Sequence, residues 1–230
     1  MADIRTVEII PTCVPTNPRE LAMSVQKIRA FSHTIHLDID DGIFTPAMTW
    51  PYTAAGNFSD VTLQPFAGMD VHVHLMVKEP RDIGIAFSRA GAASVFGHIE
   101  SFNSSREAEK VIEAWRKSGA LEVGLAILLD TPLNVLDPVM GACDFIHIMT
   151  IATIGTQGIP YDPRGIERVR ELHAKHPNII LSVDGGESEV NIPDIVRAGA
   201  SRFAVGSAIM KDPDPAVAYA RIASAAKAVI

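Results

Sequence analysis

Short runs dense in Val, Ile and Leu recur along the chain, separated by longer stretches in which apolar residues return every third or fourth position. The first kind of run reads as a buried strand and the second as a helix with one apolar face. Eight strand segments stand out: VEIIPTCV from Val7, TIHLDID from Thr34, DVHVHLMV from Asp70, ASVFGHIE from Ala93, LEVGLAILL from Leu121, DFIHIMTI from Asp144, IILSVDGG from Ile179 and RFAVGSAI from Arg202. Between them, PRELAMSVQKIRAF from Pro18, REAEKVIEAWRKSG from Arg106 and GIERVRELHAKHP from Gly165 carry helical spacing, with Pro or Ser near the starts and Gly or Pro near the ends.

Strand–helix alternation from end to end predicts an α/β chain with a parallel sheet. In 230 residues the economical closure is a (β/α)₈ TIM barrel, a fold of roughly 250 residues, with the whole chain, 1–230, as one catalytic domain. An open, doubly wound sheet is the competing arrangement. A long insertion runs from Asp41 to about Pro65 after the second strand, with Phe44, Pro46, Trp50, Pro51 and Tyr52 among small residues. A loop of that length at a strand's C-terminal end reads as functional.

Residues two apart on a strand share a face. His36, Asp38 and Asp40 therefore point together, as do His72, His74 and Met76, His98 and Glu100, and His147 and Met149. So many ionisable groups on one face of a core cost several kcal/mol unless something compensates them, which indicates a metal or catalytic site. Asp184 ends the seventh strand, on the barrel face that carries active sites. Imidazoles and carboxylates form a borderline donor set suited to Zn²⁺, Fe²⁺, Mn²⁺ or Co²⁺.

Composition narrows the partners. Twenty Lys and Arg against 27 Asp and Glu give a net charge of −7 with no basic run, which argues against nucleic acid and anionic membrane. A phosphorylated ligand would have to be held by backbone N–H groups in glycine-rich loops. Cys13 and Cys143, the only cysteines, indicate two buried thiols rather than a disulfide framework or thiolate metal site. No apolar run approaches the roughly 18 residues of a membrane span, and the N-terminus lacks an apolar signal core, so a cytoplasmic protein is expected.

These residues resemble the ribulose-phosphate 3-epimerase family over nearly the whole chain. The family's H-x-D-x-M-D-G block appears as HLDIDDG from His36 to Gly42, followed by F-x-P at Phe44 to Pro46. HLMV and its following Pro are His74 to Val77 and Pro80, TPL is Thr131 to Leu133, VDGG is Val183 to Gly186, and GSAI is Gly206 to Ile209. The resemblance implies a metal-dependent isomerase that epimerises a ketose phosphate at C3 through an enediolate. It implies one divalent ion and no organic cofactor, with His36, Asp38, His74 and Asp184 as ligands and Asp38 and Asp184 as the acid/base pair. It also implies substrate contacts at Thr12 and His74, a phosphate site at Gly185, Gly186, Gly206 and Ser207, thioethers of Met76 and Met149 against the intermediate, and a homo-oligomer. His72, His98, Glu100 and His147 are then expected to support or pack behind the ligands.

Three departures lie at the periphery. Asp40 replaces the family's Met, TIGTQG from Thr153 to Gly158 replaces P-G-F-G-G-Q, and Ala47 replaces an Asn. Asp40 either faces the site or turns to solvent. Together these changes point to a ketose phosphate other than D-ribulose 5-phosphate, such as allulose 6-phosphate or a shorter one. A decarboxylase of the same superfamily would need a D-x-K-x-x-D block, and DVHVHLMV has no Lys. A non-catalytic sugar-phosphate binding protein would fit the loss of one acid/base Asp, yet both are present.

Overall fold

The apolar and polar positions of the strands become the two faces of one sheet. The computed structural model describes residues 6–156 and 158–229. Its strands are β1 (Glu8–Cys13), β2 (Thr34–Asp40), β3 (Tyr52–Ala54), β4 (Asn57–Phe58), β5 (Asp70–Met76), β6 (Ser94–His98), β7 (Glu122–Ile127), β8 (Phe145–Met149), β9 (Ile180–Asp184) and β10 (Arg202–Val205). All except β3 and β4 close into a barrel in the order β1, β2, β5, β6, β7, β8, β9, β10, every neighbouring pair parallel. Helices α1 (Pro18–Arg29), α2 (Pro80–Arg89), α3 (Ser105–Lys117), α4 (Arg164–Lys175), α5 (Ile192–Ala198), α6 (Ser207–Met210) and α7 (Pro215–Lys227) lie between and after the strands. No described helix is long and apolar enough to cross a membrane.

Local chemistry sets the helix starts. Asn17 caps α1 by accepting from the Arg19 and Glu20 N–H groups, and Ser104 caps α3 by accepting from Glu107 N–H while the Glu107 carboxylate accepts from Asn103 N–H. Each arrangement satisfies backbone donors that a helix leaves unpaired. Some segments differ from the sequence pattern. RFAVGSAI is a strand only to Val205, after which Ser207 opens α6. ASVFGHIE ends as a strand at His98, and Ile99–Ser101 is a 3₁₀ turn. The insertion after β2 folds as the antiparallel β3–β4 hairpin followed by a 3₁₀ turn at Gln64–Phe66. Between β7 and β8 there are 3₁₀ turns at Leu133–Leu136 and Met140–Ala142 and no described α-helix, because Pro132 and Pro138 leave no room for more than a turn.

Outward residues such as Leu37, Val73, Leu125, Ile146 and Val183 are fully buried in the main core between sheet and helices. Inside the barrel Phe96, Ala126 and Phe145 form a smaller apolar cluster. Arg202 lies 5.1 Å over the Phe145 ring and pairs with Glu8 at 2.8 Å and Glu122 at 2.9 Å, filling the N-terminal end. Polar inward positions are thereby collected at the opposite end. Cys13 is buried and Cys143 only half-buried, and both are free thiols.

Gly84 of α2 shows how tightly the outer layer is packed. A Cβ there would lie 2.1 Å from Nε1 of Trp115, a fully buried side chain on α3 whose indole N–H donates to the Arg81 carbonyl at 3.2 Å. In an exposed helix Gly→Ala gains about 1 kcal/mol. Here Gly84→Ala is expected to destabilise by about 1–3 kcal/mol, the usual cost of overpacking, read by urea unfolding. A stabilised variant would show that α2 and α3 can move apart.

Candidate metal centre

β2, β5, β8 and β9 carry the donors to the centre of the barrel. His36 Nε2, His74 Nδ1, His147 Nε2 and an Asp184 oxygen are arranged so that a ligand atom from each of the four residues lies within 4.8 Å of the others. Asp184 Oδ2 stands 3.7 Å from His36 Nε2, 3.7 Å from His74 Nδ1 and 3.6 Å from His147 Nε2. Asp38 Oδ1 lies at hydrogen-bond distance from two of the same nitrogens, 2.9 Å from His36 and 3.1 Å from His74. The three imidazoles are essentially buried, and His147 Nε2 has no hydrogen-bond partner. Buried imidazoles and carboxylates converging on one point, with an orphaned nitrogen among them, fit a divalent ion of the Zn²⁺, Fe²⁺, Mn²⁺ or Co²⁺ kind.

The supporting residues divide. His98 Nε2 is 3.0 Å from His74 Nε2, and its other nitrogen lies 3.4 Å from Glu100, whose second oxygen accepts from Leu128 N–H. This pair orients His74 from behind, the usual role of such a partner. His72 belongs to a lower layer, where burial and then the charge of Arg202 hold its pKa down to about 3. His147, expected to pack behind the ligands, instead brings Nε2 in among them.

Burial and partners push the two carboxylates apart. Burial raises Asp38, but the charges and hydrogen bonds of His36 and His74 outweigh it and hold the group well below the ordinary range. Burial and then the negative charge of Asp38 push Asp184 up to about 6. Asp40 is fully buried; Oδ1 accepts from the Thr45 hydroxyl at 2.6 Å while Oδ2 has no partner, and burial pushes the group up to about 7. Asp40 does not turn to solvent.

A cavity at the C-terminal mouth joins the remaining positions. Thr12, Asp38, Asp40, Met76, Met149, Asp184, Gly185, Gly186, Gly206 and Ser207 all line it, and so do Gly155, Thr156 and Gly158 of the altered loop after β8; Gln157 lies outside the described residues. The Thr12 hydroxyl is buried without a partner. Gly186 has φ +78°, and a Cβ there would meet Tyr161 N at 2.4 Å, so only glycine lets this turn pack.

Sequence reasoning missed the residues that hold the mouth. Asp41 accepts from the N–H groups of Ile43, Phe44 and Lys78, and the Thr49 hydroxyl accepts from Asp40 N–H and donates to the Asp38 carbonyl. Asp-Gly at Asp41 and Gly42 signals a turn and no more. Glu187 was missed as well, since nothing in VDGGE shows that its side chain folds inward.

Glu187 is 4% exposed and lines the cavity. Thr150 Oγ1 lies 2.6 Å from Glu187 Oε1 and 2.9 Å from the Gly185 carbonyl oxygen, and Gly185 N–H donates to Oε2 at 2.6 Å. One hydroxyl hydrogen cannot serve both oxygens. A proton on Oε1 completes the chain, Glu187 donating to Thr150 and Thr150 to Gly185, and burial, then the charge of Asp184, accordingly push Glu187 up to about 8. A carboxyl raised in the folded state contributes stability that is fully present below its unfolded pKa and lost as pH rises through the folded one. Glu187→Gln copies the neutral acid. Its stability advantage over wild type is expected to grow by on the order of 1 kcal/mol per pH unit from about pH 5 to about pH 8, then level. Urea unfolding of both proteins across that range measures it, and a constant difference would mean that Glu187 is ionised throughout.

The sequence model described as the Ribulose-phosphate 3 epimerase family matches residues 8–210. The chain is 29% identical to ribulose-phosphate 3-epimerase 1 of Cupriavidus necator, with 95% of this chain and 90% of that protein covered. It is also 29% identical to ribulose-phosphate 3-epimerase of Escherichia coli, with 83% of each covered. Among solved structures, 3-hexulose-6-phosphate synthase from Salmonella typhimurium superposes with a TM-score of 0.71 at 15% identity, covering 97% of this chain and 100% of that one; a likeness at that identity speaks for the fold alone.

Proposed function

Since the chain belongs to the ribulose-phosphate 3-epimerase family and is thereby a ketose-phosphate epimerase, we propose that it inverts C3 of its substrate with Asp38 and Asp184, beside a divalent ion held by His36, Asp38, His74 and Asp184. The observation that carries this reading is the placing of the two carboxylates together at the cavity wall, within 2.9 and 3.7 Å of His36 Nε2. Inverting a carbon next to a carbonyl needs a base on one face and an acid on the other, and two carboxyl groups about the substrate supply both. Asp38 takes the C3 proton from one epimer. Asp184 returns a proton to the opposite face, and in the reverse direction the roles exchange.

A divalent ion in this donor set supplies Lewis acidity that stabilises charge developing on the substrate oxygens. Met76 and Met149 press polarizable, water-excluding surface on the reacting carbons. No Lys or Arg is among the described residues lining the cavity, so the phosphate falls to backbone N–H groups at Gly185, Gly186, Gly206 and Ser207. The unpartnered Thr12 hydroxyl is free to meet a substrate oxygen. On this reading residues 1–230 are one catalytic domain of a cytoplasmic homo-oligomer, and elemental analysis names the ion.

Asp40 bears on which ketose phosphate is used. Its Oδ2, buried and unpartnered at the cavity wall, suits a substrate hydroxyl, and this favours a ketose phosphate other than D-ribulose 5-phosphate. Incubation with a panel of ketose phosphates in D₂O tests both levels, because a true substrate acquires deuterium at C3 even where equilibrium hides turnover. A blank panel would leave a binding protein in place of an enzyme. Turnover of D-ribulose 5-phosphate is expected to be weaker than that of the best panel member, and Asp40→Met is expected to raise it about 10-fold, the scale of one hydrogen bond lost or gained. Wild-type turnover of D-ribulose 5-phosphate equal to the best would remove Asp40 from substrate choice.

A further inference from the structure

Asp184 Oδ2 is nearly equidistant from three imidazole nitrogens, at 3.6, 3.7 and 3.7 Å. Four tetrahedral donors about 2.0–2.2 Å from one ion stand about 3.3–3.6 Å apart. The spacing around Asp184 is therefore that of donors that can share one ion, with His147 as the third imidazole beside His36 and His74. Two further contacts set that residue for the task. His147 and Ser182 are partners across the β8–β9 ladder, and the Ser182 hydroxyl lies 2.9 Å from His147 Nδ1. With the proton on Nδ1, donated to Ser182, Nε2 presents a bare lone pair. That nitrogen is fully buried and unpartnered, and 3.6 Å from Asp184 is too far for a hydrogen bond. A buried acceptor left so is costly, and an ion among the four donors satisfies it.

Resting on the metal centre of the proposed function, we infer that His147 is itself a ligand, so that the ion in this chain is held by three imidazoles and not two. Ser182 is the positioning residue: its hydroxyl can accept from Nδ1–H and holds the ring, in the way a hydrogen-bonding partner behind a ligating His fixes its orientation. Asp38 sits on the His36–His74 edge of the group, where its oxygen meets those two nitrogens. His147 completes the set from β8, the strand beside that of Asp184, with its ring 4.8 Å from that of His74.

X-ray absorption of the wild-type chain loaded with Zn²⁺ counts imidazole ligands with no substitution, and three are expected. Zn²⁺ affinity, measured by competition with a chelator, is expected to fall by at least about 100-fold in His147→Leu and by about 10-fold in Ser182→Ala, the scale found when ligands or their supporting partners are removed. Circular dichroism establishes that both variants are folded, and the wild-type count stands if one is not. A count of two with unchanged affinity in His147→Leu would overturn the inference and leave the metal centre of the proposed function intact. A wild-type chain that takes up no ion would overturn both.

Discussion

Asp184→Asn is expected to lower epimerisation by about 10³–10⁴-fold, the upper part of what a positioned acid or base contributes. Asparagine keeps the size and one oxygen donor of Asp184 but can neither accept nor return the proton. The carboxyl stands at about 6 because burial and the charge of Asp38 favour its neutral form, whereas His36 and His74 keep Asp38 ionised. On the proposed assignment, loss of one of the two groups leaves half of the reaction. Asp184→Asn should still exchange the C3 hydrogen of one epimer with solvent, and Asp38→Asn that of the other, with neither interconverting them. Deuterium wash-in by NMR, with metal content measured on the same samples, separates this from simple loss of the ion. Exchange of both epimers in either variant would mean that one carboxylate serves both faces.

Stripping the divalent ion is expected to lower activity by at least about 10²–10³-fold, the effect of losing one fixed source of stabilisation for developing charge. Stability should fall as well. An ion present at about 1,000 times its dissociation constant contributes about 4 kcal/mol, and at about 2–4 °C per kcal/mol for a chain of this size the melting temperature drops by about 8–16 °C. The fold itself should survive, because Asp38 at 2.9 and 3.1 Å from His36 and His74 already gives two of the imidazoles a partner. Calorimetry before and after chelation, then re-addition of Zn²⁺, Fe²⁺, Mn²⁺ or Co²⁺ singly, measures the loss and identifies the ion that restores activity. Full activity in protein shown by elemental analysis to be metal-free would remove the ion from the mechanism.

Much of this molecule was legible along the chain. Alternation within each strand separates an apolar outer face such as Leu37 and Val73 from a polar inner one such as His36, Asp38 and His74, because side chains on a strand point alternately to either side. Eight such segments, the HLDIDDG and VDGG blocks and the absence of a basic run were enough to place a His and Asp site at a barrel mouth. Strand ends were less legible: RFAVGSAI divides at Gly206 and ASVFGHIE at His98, since apolar residues that enter a helix or turn look like those that stay in a strand.

The depth of each inward residue was decided by the tertiary structure. Alternation tells which face a side chain takes but not its height in the barrel, which depends on the tilt and stagger of the closed sheet. His72 and His147 carried the same expectation from the sequence, yet His72 lies in a lower layer under the influence of Arg202 and His147 lies 3.6 Å from Asp184. Asp40 and Glu187 likewise gain their character from enclosure, through Thr45 for one and Thr150 with Gly185 for the other. The sequence determined the barrel and the kinds of group that line it, because strand alternation is a local property. Which of those groups meet at one point was left to the stagger of strands far apart in the chain and to the loops that bury them.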